Sequence, residues 1–64
     1  MTQYIIQNDN EQYMVSISKS RISWSSIPEN AKTFCSREAA AATLRKVKHY
    51  YHGGACWIAK LVRD

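Results

Sequence analysis

Two histidines and a cysteine come nearest to the spacing of a metal site. His49 and His52 lie three residues apart, and Cys56 follows four residues later. Imidazole and thiolate bind zinc, but a structural site takes four ligands at paired spacings. No obvious fourth ligand accompanies these three, and Gly53-Gly54 interrupts them. The sequence therefore predicts no metal and no other cofactor.

Nucleophilic side chains are present, but not in the patterns of known catalytic sites. Cys35, Cys56 and several serines share the chain with two histidines and few carboxylates. None of them lies in a GxSxG, P-loop, HExxH or CxxC motif. A chain of 64 residues also has little volume for a pocket that excludes water around a substrate. We therefore expect a protein that is not an enzyme.

Basic side chains on a predicted helix form the best candidate for a binding site. Nine Lys and Arg against five Asp and Glu give a formal charge of +4, which attracts anionic partners without identifying them. Most of the basic side chains on the helix recur at a spacing that aligns them on one stripe. Together with two aromatic residues, the candidate partner contacts are Trp24, Arg37, Arg45, Lys46, Lys48, Tyr50 and His52.

These residues allow two interpretations. Cations can contact phosphates while tyrosine stacks on bases, the combination that binds single-stranded nucleic acid. Alternatively, they form a solvated helix face whose cations are favoured near the negative end of the helix dipole. No signature of a known nucleic-acid-binding module accompanies them.

The helix that positions these residues is predicted over Ser36 to His52. Ser36 is expected to cap the first turn, and Glu38 lies where the helix dipole favours a carboxylate. Gly53 is expected to end the helix in the left-handed conformation. A stripe at spacings of four, three and four predicts the face that packs on the core: Ala40, Leu44, Val47 and Tyr51.

Strands are predicted on both sides of the helix, which gives an α+β fold in one domain over residues 1–64. The order is strand, strand, a possible short strand, helix and strand, with the helix on one face of a small antiparallel sheet. The predicted strands are Thr2 to Gln7, Gln12 to Lys19, a possible extension or third strand over Ser20 to Trp24, and Ala55 to Arg63, with Ala31 to Phe34 as an edge strand or extended lead-in.

Alternation along the strands predicts which side chains are buried. In the second strand, Tyr13, Val15 and Ile17 are expected to face the core. Tyr4 and Met14 would then form an apolar patch on the opposite face with Ile6 and Ile58. The last strand is apolar on both faces and is therefore expected to be central. Phe34 and both tryptophans, Trp24 and Trp57, are expected to contribute to the core, and Cys35 and Cys56 are expected as free thiols.

The size of the chain limits the stability of the fold. A domain this small buries only roughly 60% of its unfolded surface. We therefore expect a free energy of unfolding of about 5 kcal/mol or less. A second copy would cover more apolar surface, so a homodimer is an alternative to a monomer. No stretch has the 18 or so apolar residues of a membrane span, and the N-terminus lacks the charge pattern of a signal peptide. These features predict a cytoplasmic protein that does not enter a membrane.

The layout resembles that of small orphan proteins carried by phages and other mobile elements, some of which are anti-CRISPR inhibitors. The resemblance follows the order Tyr13, Trp24, Ala31-Lys32, Phe34, Ser36 and Ala39, then a basic helix and a terminal strand. It implies a protein that occupies a surface of a host protein or nucleoprotein and inhibits it. The alternative hypothesis is a basic module that binds DNA or RNA directly through phosphates.

Overall fold

A computed structural model describes residues 2–19 and 21–62 of the chain. It contains an antiparallel sheet of four strands with one helix packed on it, so the predicted α+β fold is confirmed. The elements are β1 (Thr2–Asn8), β2 (Tyr13–Ser18), β3 (Arg21–Ser25), a 3₁₀ turn (Pro28–Asn30), α1 (Arg37–Tyr50) and β4 (Cys56–Val62).

The strand order is β3-β2-β1-β4, which places β4 at an edge of the sheet. It pairs with β1 along its whole length, from Cys56 opposite Asn8 to Val62 opposite Thr2. The prediction that the last strand is central is therefore wrong. Its two apolar faces have different surroundings, because one faces α1 while the other leaves Trp57 41% exposed. The expectation that Trp57 belongs to the core is also wrong.

The segment before α1 lies inside the sheet rather than at its edge. β1 and β2 pair at Gln7 and Tyr13, next to their turn. Farther from the turn, Tyr4 and Phe34 exchange two backbone hydrogen bonds of 3.0 and 2.8 Å, and the Lys32 N–H donates to the Met14 carbonyl at 2.9 Å. The extended segment 32–34 thus bridges β1 and β2, and Phe34 is buried in the core as predicted.

A bulge in β2 changes which of its side chains are buried. The pairing with β3 shifts between Met14, opposite Trp24, and Ser16, opposite Ser23. Because a bulge adds one residue to one strand, the alternation of faces is broken there. Met14 and Ile17 consequently face α1, whereas Tyr13 does not. The predicted inward face of β2 is wrong for its first half.

The apolar patch predicted around Tyr4 and Met14 also does not form. Met14 and Ile6 are fully buried beneath α1, and Tyr4 and Ile58 pack against them. These four residues are part of the hydrophobic core. The opposite face of the sheet has a different set of apolar side chains.

The helix begins as the sequence predicts and ends two residues earlier. The Ser36 hydroxyl accepts a hydrogen bond from the Ala39 N–H at 3.2 Å and caps the first turn. After Tyr50, the chain is extended at Tyr51, whose N–H donates to the Val47 carbonyl at 2.7 Å. The left-handed glycine expected at Gly53 is therefore not what ends α1, and His52 lies outside the helix.

The predicted core face of α1 is confirmed. Ala40 and Val47 are fully buried, and Leu44 and Tyr51 pack partly buried against the same core. An alanine at the first of these positions allows close approach of the helix to the sheet. Both cysteines are free thiols, as predicted. Cys56 is buried, whereas Cys35 is exposed and not a packing residue.

Candidate binding surface on the helix

The exposed surface of α1 presents a cluster of basic side chains near its C-terminal end. Arg45, Lys48 and His49 are all exposed on the last two turns. Residues three and four apart on a helix are neighbours, with Cβ atoms about 5–6 Å apart. We call these three residues the C-terminal cationic cluster. It suits contact with a flat or shallowly concave anionic surface, because the helix itself is convex there.

The helix also concentrates the net charge of the chain. It contains four Lys and Arg against the single acid Glu38, or +3 (four minus one) of the total +4. Lys48 and His49 lie in the last turn, where the helix dipole favours cations, and Glu38 lies in the first turn, where it favours an anion. The local structure therefore tolerates the concentration of positive charge at this end.

Two of the predicted contact residues lie on another side of the helix. At 3.6 residues per turn, Lys46 lies about 160° around the axis from Lys48, and Tyr50 is the neighbour of Lys46 four residues on. Tyr50 is 41% exposed, and its ring meets the His49 ring edge-on with centroids 4.8 Å apart. A flat partner surface therefore cannot contact Lys46 and Lys48 at the same time.

The remaining predicted contacts are more distant from the cluster. Arg37 is exposed at the start of α1, about 12 Å along the axis from Arg45. His52 is exposed in the loop after the helix. Trp24 lies on the side of the sheet that faces α1, partly buried against the core and against Tyr51.

An acidic turn approaches the same end of α1. The turn between β1 and β2 meets the residue after the helix, where the Asn10 side-chain amide donates to the Tyr51 hydroxyl at 3.5 Å. Burial raises the pKa of the Cys56 thiol, the positive charge of Lys48 lowers it, and the negative charge of Asp9 raises it. Lys48 and Asp9 are thus both near enough to act on one buried group.

The described residues were also searched for pockets, metal-binding groups and membrane-spanning helices. No pocket indents residues 2–19 and 21–62, and no group of three or more His, Cys, Asp and Glu among them is placed to hold a metal ion. In the same part of the chain, no helix combines the length and apolar character needed to cross a lipid bilayer.

Sequence reasoning missed the exposed apolar side chains of the sheet. Trp57 shares a face of β4 with Ala59 and Leu61, and its partner across the pair with β1 is Gln7. The alternation in β4 was visible in the sequence and separates this face from that of Cys56 and Ile58. Which face is covered depends on where α1 packs, and no local pattern determines that.

Comparison with known proteins gives no match: no protein-family model, characterised protein or solved structure is significantly similar to this chain.

Proposed function

We propose that this protein is a non-enzymatic binding protein that covers an anionic surface of a host nucleoprotein and thereby inhibits it. The observation that supports the proposal most directly is the exposed C-terminal cationic cluster of Arg45, Lys48 and His49 on a helix that carries +3 of the net charge. Phosphates of a bound guide RNA or DNA, or an acidic protein surface, complement such a cluster.

The resemblance to small phage proteins supports a role as a defence inhibitor of the anti-CRISPR type, acting in the host cytoplasm. Steric occlusion needs no pocket, only a rigid surface that fits the target. The helix meets that need because its opposite side is anchored in the core through Ala40 and Val47. Binding energy from the cluster is then not lost to ordering of the backbone.

The proposal is tested by adding the purified protein to guide-RNA-loaded CRISPR effector complexes of several types and measuring cleavage of target DNA. We expect the wild type to inhibit one of them and the Arg45→Ala/Lys48→Ala variant to inhibit it at least tenfold less. A matched control is Arg21→Ala/Lys46→Ala, which also removes two charges but leaves the cluster intact. Uninhibited cleavage by every complex, or equal loss in both variants, contradicts the proposal.

Direct binding of nucleic acid is a second candidate, favoured by the position of Tyr50. Its exposed ring lies edge-on to His49 and one turn from Lys46 on the same side of the helix. Aromatic side chains next to cations can stack on single-stranded bases while the cations contact phosphates. This candidate predicts affinity for bare DNA or RNA, which the inhibitor proposal does not require.

Fluorescence anisotropy with labelled single-stranded and duplex DNA and RNA over a range of salt separates the two functions. Each phosphate contact on a single strand contributes about 0.7 to the slope of log K against log salt. We therefore expect Arg45→Ala/Lys48→Ala to reduce that slope by about 1.4 if these side chains contact phosphates, and Tyr50→Ala to weaken binding with no change of slope. No binding by the folded wild type rules out this second candidate.

A further inference from the structure

Cations occupy most of the exposed circumference of α1 within a single turn. Successive residues of a helix are about 100° apart around its axis, and the fully buried Val47 marks the side that faces the sheet. Lys46 and Lys48 lie about 100° on either side of Val47, and both are exposed. The arc between the two lysines on the solvent side therefore spans about 160°, and both of its ends are positively charged.

Two more residues of the C-terminal cationic cluster lie inside this arc. Arg45 is about 60° from Lys48, and His49 is about 60° from Lys46; both are exposed. They are therefore directed away from the sheet. The cluster alone can lie on a flat surface, but a partner that also contacts Lys46 must have two walls. The arrangement thus fits a groove that is anionic on both sides.

The row of side chains at the middle of this arc is open to solvent. Arg45 and His49 belong to a row that continues toward the N-terminus, because residues three and four apart are neighbours on a helix. The row also contains Ala42 and Glu38, and all four side chains are exposed. No described element therefore covers it, and the alanine leaves room for close approach of a partner. The row can contact the floor of a groove while the two lysines contact its walls.

The major groove of B-DNA has the dimensions and the charge that this arrangement requires. The groove is about 12 Å wide and about 8.5 Å deep and admits an α-helix, which is about 10–12 Å across with its side chains. Phosphates lie along both edges of the groove, and base edges form its floor. The major groove of A-form RNA is too narrow for side chains to read, so the geometry favours DNA.

We propose that α1 enters the major groove of duplex DNA, where Lys46 and Lys48 contact phosphates of opposite strands and Arg45 contacts base edges. The inference rests on the proposed function, because it uses the same cationic cluster and names duplex DNA as the anionic partner. Arginine donates two hydrogen bonds to guanine O6 and N7, and a carboxylate such as that of Glu38 accepts one from cytosine N4. Binding should therefore prefer sites that contain G·C pairs.

Selection from a random duplex DNA library, followed by fluorescence anisotropy, tests the proposal. We expect the selected duplex to bind at least tenfold more tightly than a scrambled duplex of the same composition, and more tightly than the corresponding RNA duplex. Lys46→Ala and Lys48→Ala should each weaken binding to both DNA duplexes and reduce the slope of log K against log salt by about 0.9. Arg45→Ala should reduce the preference for the selected duplex at least fivefold.

The matched control is Lys32→Ala, which removes an exposed cation outside α1 and should change neither the slope by a full contact nor the preference. A wild type that is folded by circular dichroism but binds no duplex DNA overturns the proposal. A slope that Lys48→Ala reduces and Lys46→Ala does not also overturns it, because only one wall is then in contact. Equal loss of affinity for both DNA duplexes in Arg45→Ala overturns the assigned base contact.

The cleavage assay of the proposed function separates the two failures. Inhibition of an effector complex by a protein that binds no duplex DNA overturns this inference and leaves the proposed function standing, with an acidic protein surface as the partner. Selective binding of duplex DNA without inhibition of any complex supports the inference and contradicts the inhibitor function.

Discussion

The rings of Trp24 and Tyr51 lie 4.9 Å apart between centroids, with their planes inclined by 52°. Trp24 belongs to the edge strand β3, and Tyr51 is the residue that follows α1. Both side chains are partly buried against the core. The contact therefore fixes the end of α1 that carries the C-terminal cationic cluster onto the far edge of the sheet.

Removal of the Tyr51 ring is expected to destabilise the fold. Tyr51→Ala loses apolar burial and an aromatic pair worth about 0.5–1.5 kcal/mol beyond that burial, so we expect a loss of about 2–3 kcal/mol in the free energy of unfolding. Tyr51→Phe keeps the ring and loses only the 3.5 Å contact with Asn10; its effect should stay within about 0.5 kcal/mol. Urea denaturation measures both, and an equal loss in the two variants would assign the effect to the hydroxyl instead.

Asn8 is expected to be the most sensitive polar residue of the fold. It is fully buried, and its side-chain oxygen accepts from the N–H groups of Asn10 and Gln12, both at 3.0 Å, while its amide donates to the Gln12 side chain at 3.2 Å. Asn8→Ala leaves these groups without their partner, which should lower the free energy of unfolding by about 2–4 kcal/mol.

The matched control for this substitution is Asn10→Ala. The Asn10 side chain is exposed, and its backbone N–H still reaches Asn8 in the variant. We expect a change within about 0.5 kcal/mol. Thermal unfolding followed by circular dichroism compares the two variants. If Asn10→Ala costs as much as Asn8→Ala, the turn is stabilised by its exposed residues rather than by the buried amide.

The parts of this fold that local sequence signals determine were predictable. A capping serine at Ser36 and a helical repeat through Ala40 and Val47 specify where α1 starts and which side it buries, because both depend on residues within a few positions of each other. The exposure of the cations at Arg45 and Lys48 follows from the same repeat, since they lie off the buried stripe.

The parts that depend on distant segments were not predictable. The bulge after Met14 arises from the pairing of β2 with β3, and the edge position of β4 from its pairing with the first strand. The insertion of Phe34 beside Tyr4 depends on how far β1 and β2 separate beyond the turn that joins them. Because a one-residue change in pairing exchanges the faces of a strand, the exposed Trp57 could not be identified from alternation alone.

The two adjacent glycines should differ in their tolerance of substitution. Gly54 has a φ of +144°, and an added Cβ would lie 2.6 Å from the Asp9 carboxylate, which accepts from the Ala55 N–H at 3.3 Å. At Gly53 a Cβ would lie 2.9 Å from the Tyr51 ring, but the backbone there is not in the left-handed region. We expect Gly54→Ala to cost about 1–3 kcal/mol and Gly53→Ala clearly less, as measured by urea denaturation. Equal costs would mean that the backbone at Gly54 relaxes freely.

Stability above pH 9 should depend on the Cys56 thiol. Burial raises its pKa above the ordinary value of 9.0, with Lys48 opposing and Asp9 adding to the effect. Well below pH 9 the thiol is protonated in both the folded and the unfolded chain, so pH changes nothing through this group. Above pH 9 the unfolded chain releases the proton more readily than the folded chain, and stability falls as pH rises until the folded pKa is passed.

The comparison of wild type with Cys56→Ala isolates this contribution, because the titrating lysines and tyrosines are common to both. In urea denaturation under reducing conditions at pH 7, 8, 9 and 10, the advantage of the wild type over the variant should be constant up to pH 8 and should decrease at pH 9 and 10. Cys35→Ala, which removes the exposed thiol, is the control and should show no such trend. A difference between wild type and Cys56→Ala that is the same at every pH would mean that the thiol ionises as easily in the folded chain as in the unfolded one, and therefore that the site beneath α1 is open to water.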